Sequence, residues 1–146
     1  MTKNLFDNPF YIVLLFFVVT FFNIIFTVHF IPLMLAGVVF TAFIYVYERE
    51  NYYSLALTIL SFIMIEISQG MPFLSLSLLS FLIYMFLIPK IKQIFSLGEL
   101  DFLLFMIIFY SSYLLLYFLL EGVNLSVLFK IVLNVLVDLI LVGILF

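Results

Sequence analysis

The sequence predicts an all-α polytopic membrane protein, a compact bundle of six transmembrane helices. Three observations carry this. The chain is 68% hydrophobic and 9% charged, with mean hydropathy +1.47, whereas a soluble domain has about 45–50% apolar and about 25% charged residues. Its apolar runs match, or are double, the roughly 20 residues that a helix needs to cross hydrocarbon. Short polar turns separate them. Such runs are too uniform for the alternating strands of a membrane barrel. Backbone groups in lipid must be satisfied internally, which leaves a helical bundle. Residues 1–146 are read as a single six-helix transmembrane domain.

Each helix follows from its run and its breaks. The run after Asn8 is longer than a signal-peptide core and no small-x-small site follows it, so it is read as a retained first helix. Pro9 to Tyr47 contains no Asp, Glu, Lys or Arg, which is too long for one span and right for two. The break is placed at Val28-His29-Phe30-Ile31-Pro32, because proline lacks a donor and disfavours helix before it. Helix one is then 9–28 and helix two 32–47. Glu48-Arg49-Glu50-Asn51 is a polar turn, and helix three is 52–68. The Gln69–Pro72 turn leads to helix four, 73–88. Pro89 to Asp101 is the longest connection, where Ile91, Ile94, Phe95 and Leu97 suggest an amphipathic stretch on the membrane surface. Gly98 marks a turn within it. Helix five is 102–120, Glu121–Asn124 a turn, and helix six runs from 125 to the end.

Six spans place the N-terminus, the second and fourth connections and the C-terminus on one side. Lys3, Arg49, Lys90 and Lys92 fall there, and the other connections hold no Lys or Arg. The positive-inside rule therefore predicts both termini in the cytoplasm. Tyr45, Tyr47, Tyr52 and Tyr53 flank Arg49 as an interfacial aromatic belt would.

Polar residues inside the spans are the candidate site. Glu66 lies at the outer end of helix three with Gln69 on the same face. It is either an interfacial carboxylate reaching water or a group held within the bundle or at a partner surface. Ser126, Lys130, Asn134 and Asp138 recur every fourth residue, a polar stripe along helix six. Charges in hydrocarbon cost about 2.5–3.5 kcal/mol each on insertion scales and turn toward the bundle interior, a wet cavity or a partner. Lys130 has a depth similar to that of Glu66, so the two are expected to approach as an ion pair, structural or functional. Asp138 has no basic partner in sequence. It is expected to hold a proton, or to accept hydrogen bonds from Asn134, from Ser111 or Ser112, or from Ser54, Thr58 or Ser61. Tyr110, Tyr113 and Tyr117 form a stripe on helix five that reads as packing. Ser75, Ser77 and Ser80 do not share a face.

Several chemistries have no residues to carry them. The chain has no cysteine and one histidine, His29, so a disulfide, a thiolate nucleophile and a Cys or His-rich metal site are excluded. It has no paired-acid metal motif, phosphate loop, nucleophile elbow or basic cluster for a nucleotide. Neither an enzyme, a cofactor nor a nucleic-acid partner is expected. G-x-x-x-G, the close-packing helix motif, is also missing.

Glu66-x-x-x-Gly70-x-Pro72, ending the third span, resembles the acid-x-x-x-Gly-x-Pro signature of the MreD family of bacterial rod-shape-determining membrane proteins. Size, six spans and cytoplasmic termini are similar too. Family members often carry Asp at the Glu66 position, and a further glycine where Phe73 and Leu74 stand here. The resemblance implies a non-enzymatic inner-membrane component of the cell-elongation complex that makes peptidoglycan. It would contact MreC and membrane lipid and link MreB filaments to wall synthases. It also implies a fold like the substrate-binding subunits of energy-coupling-factor transporters. That likeness supplies an alternative, a vitamin-type small-molecule uptake subunit with a pocket built from Glu66, Gln69, Lys130 and Asn134. A second alternative is an assembly protein of another membrane complex.

Overall fold

The structure, a computed structural model, describes residues 8–28, 34–94 and 101–145. The expected break around His29 and Pro32 lies outside the described residues. So do Lys3, Gly98, and Phe95 and Leu97 of the expected surface stretch.

The described residues are helical, in six elements: α1 Pro9–Val28, α2 Ala36–Glu48, α3 Tyr52–Gln69, α4 Ser75–Ile94, α5 Asp101–Glu121 and α6 Leu125–Leu145. Five of these are long and apolar enough to cross a membrane, and α2 is a shorter apolar helix. Their bounds follow the polar turns closely, with two exceptions.

The first is α2. At 13 residues it is about 20 Å long, short of the roughly 30 Å hydrocarbon core. It is also the most enclosed element, with Ala36 to Ile44 and Val46 all buried. It packs on α3, α5 and α6, while α1 lies against α3. The aromatic core surrounds it. Phe40 stacks on Phe109 with ring centroids 4.7 Å apart, and Phe43 meets Phe62 edge-on. Burial by protein is why an apolar helix shorter than the hydrocarbon core is tolerated here.

The second is α4. The expected end at Pro89 is wrong, and the helix runs on to Ile94. Proline at 89 cannot donate to the carbonyl of Met85, and its ring would clash with that carbonyl. The chain widens to a π-helical segment at Ile83–Leu87, where the Ile88 N–H reaches back to the Ile83 carbonyl. One wide turn therefore accommodates proline without ending the helix. Ile91 and Ile94 accordingly continue α4. Lys92 pairs with Glu48 at 2.5 Å. That pair brings the ends of α2 and α4 together at one end of the bundle, where Arg49 also lies over the Tyr45 ring.

Candidate functional site

Two helices, α2 and α4, begin the same way. Each is preceded by a non-glycine residue in the left-handed region, Leu35 (φ 53°) and Leu74 (φ 63°), whose side chain offers no cap. The first N–H groups of a helix have no partner within it. Leucine cannot supply one, so both starts are satisfied by a carboxylate on another helix.

Glu66 serves α4. It is fully buried. Its Oε2 accepts the Leu74 N–H at 2.6 Å and its Oε1 the Leu76 N–H at 2.7 Å. The turn is shaped for this. Gly70 ends α3 at φ 67°, a conformation open to glycine at little cost. Its N–H and that of Met71 close onto the last carbonyls of α3. Pro72 then leads into the Leu74 cap. The carboxylate also sits favourably against the positive end of the helix dipole.

Asp138 serves α2, again fully buried. Its Oδ2 accepts the Gly37 N–H at 2.8 Å and the Tyr110 hydroxyl at 2.5 Å. Asn134, one turn earlier on α6, accepts the Met34 N–H through Oδ1 at 2.8 Å and donates to the Lys130 carbonyl. Gly37 is required by contact. A Cβ there would stand 2.5 Å from Met106 Cγ and 2.7 Å from Asp138 Oδ2.

Three expectations are corrected. Glu66 and Lys130 do not form an ion pair. Both Glu66 oxygens are engaged by backbone, and among the described residues Lys130 makes no ion pair. Second, among the described residues none of the hydroxyls expected at Asp138 bonds to it, and Ser54 Oγ is buried without a partner. Thr58 and Ser61 turn back to carbonyls of α3, and Ser111 to that of Ile107. Third, Tyr110 is more than packing, because its hydroxyl holds Asp138. A buried tyrosine needs a partner for its O–H, and that requirement was the signal in a stripe set among Phe and Leu.

The other predicted residues meet in a cavity of about 340 Å³. It is enclosed by the α3–α4 turn, the second half of α5 and the first half of α6, and it reaches down to Met34 and Asn134 at the start of α2. Gln69, Gly70, Pro72, Lys130 and Asn134 line it, together with Tyr113, Tyr117 and Glu121. Glu66 is not among its walls. The helix-six stripe thus divides. Asn134 and Asp138 are buried and structural, Lys130 faces the cavity, and Ser126 is exposed and bonded to Asn124. Among the described residues no group of His, Cys, Asp and Glu could hold a metal ion. Compared with known proteins, the chain matches no family model, no curated protein and no solved structure.

Proposed function

We propose that this chain is a non-enzymatic component of a bacterial cell-envelope assembly, acting as MreD-like proteins do beside an MreC-like partner in the inner membrane. The observation that carries the reading is the built form of the Glu66–Pro72 turn. Glu66 caps α4 and Gly70 reverses the chain in the left-handed region. The residues that make the family-like signature are thus the ones that lock α3 to α4. A signature made of fold-setting groups fits a protein whose work is to hold partners in register. In this reading the short α2 counts as a sixth crossing, so both termini face the cytoplasm and the Glu121–Asn124 turn faces outward.

Affinity purification of the full chain in mild detergent tests the reading. An MreC-like single-span protein and wall synthases are expected among the co-purifying proteins. Recovery of an ATPase and a vitamin, without an MreC-like partner, would overturn it in favour of an uptake subunit. The cavity beside Gln69, Lys130 and Asn134 is the observation that favours that rival. Reporter fusions that place residues 121–124 in the cytoplasm would overturn the topology.

A further inference from the structure

We propose that the cavity between the α3–α4 turn, α5 and α6 binds a zwitterion, its ammonium toward Glu121 and its anionic oxygens toward Lys130. The inference is independent of the cell-elongation reading. Two opposite charges line this one cavity. Among the described residues neither forms an ion pair, with the other or with a third group, although Glu121 accepts a hydrogen bond from the Tyr117 hydroxyl. An ammonium within a membrane-spanning helix calls for an anion, and Glu66, the buried acid of the adjoining turn, is held by backbone N–H groups.

The order of the charges gives the orientation. Glu121 is the last residue of α5, at the rim. Lys130 stands five residues into α6 from Leu125, about 8 Å along the helix axis. A ligand with its ammonium outermost and its phosphate or carboxylate inward meets complementary charge at both levels. Tyr117 adds an aromatic face that attracts a cation. Gln69 adds an amide that both donates and accepts. Met71, Leu76, Leu79 and Ile131 make up apolar wall, so a hydrocarbon attached to the zwitterion is tolerated. The volume of about 340 Å³ is at the small end of ligand pockets, which run from about 300 to 1,000 Å³. That suits a headgroup or a small free molecule, not a whole lipid. A phosphatidylethanolamine headgroup and a soluble zwitterion share this chemistry.

Native mass spectrometry of the detergent-solubilised full chain tests the proposal. The probes are phosphatidylethanolamine, phosphatidylglycerol and free phosphoethanolamine. Wild type is expected to retain phosphatidylethanolamine roughly tenfold better than phosphatidylglycerol, which lacks the cation. Lys130→Met should lower that retention roughly tenfold, and Glu121→Gln should abolish the preference between the two lipids. Competition by free phosphoethanolamine would assign the site to the headgroup alone. Retention of the lipid without such competition would assign it to the membrane-borne form. Equal retention of both lipids by wild type overturns the proposal, as does binding of none of the three probes. The wild-type comparison stands even where a variant fails to fold.

Discussion

The two buried carboxylates perform one task in two settings. Glu66 caps α4 from the neighbouring end of the same helical hairpin, eight and ten residues before its donors. Asp138 caps α2 from a helix 101 residues away in sequence. The start of α4 lies at a turn. The start of α2 lies within the bundle, because α2 is short and its other end is tied beside α4 through Glu48 and Lys92. A helix start at a turn can fall back on interfacial water. One enclosed by protein and lipid cannot, so it recruits three side chains, Asp138, Tyr110 and Asn134. The two buried acids mark where helices begin, and the setting of each beginning sets how many groups serve it.

This difference orders the effects of substitution. Asp138→Ala should be the most damaging. It leaves the Tyr110 hydroxyl without its acceptor in a dry interior, and the Gly37 N–H with only a longer bond to that hydroxyl at 3.3 Å, at about 1–3 kcal/mol for an orphaned group. Thermal unfolding in detergent should show the loss, and an unchanged Tm would remove the argument for α2. Gly37→Ala should follow, at about 1–3 kcal/mol, because the new methyl must displace Met106 or Asp138. A smaller loss, about 1–2 kcal/mol, is expected for Glu66→Ala, the usual scale for a lost helix cap. Exchanging charges (Glu66→Lys with Lys130→Glu) should not restore stability, and rescue by the exchange would reinstate the ion pair. Lys92→Ala should cost least, less than about 1 kcal/mol, because both partners of its pair are about two-fifths exposed. Its effect should shrink with added salt.

The helices themselves were legible because hydrophobic run length is a direct physical requirement of the bilayer. The bounds of α1, α3, α5 and α6 fall within a residue of the polar turns that predict them. The Glu66 turn was legible as a unit because all its parts lie within a dozen residues. Pro89 misled, since whether proline ends a helix depends on whether the preceding turn can widen, and Ile83–Leu87 does so. The helix-six stripe was visible by period, yet its partners were not. Period tells which residues share a face but not which helix that face meets. Depth and opposite charge suggested Lys130 for Glu66, but the stronger local demand of the α4 backbone had already claimed the acid. Gly37 carried no sequence signal beyond its small size, because the need for it arises only where Asp138 and Met106 close upon α2.

Amide hydrogen exchange at the two helix starts tests the central claim most directly. In wild type, the N–H groups of Gly37, Leu74 and Leu76 should be protected, although first-turn amides ordinarily have no partner. Glu66→Ala should release Leu74 and Leu76 and leave Gly37 protected, while Asp138→Ala should do the reverse. Leu74 and Leu76 amides that stay protected in Glu66→Ala would contradict the account.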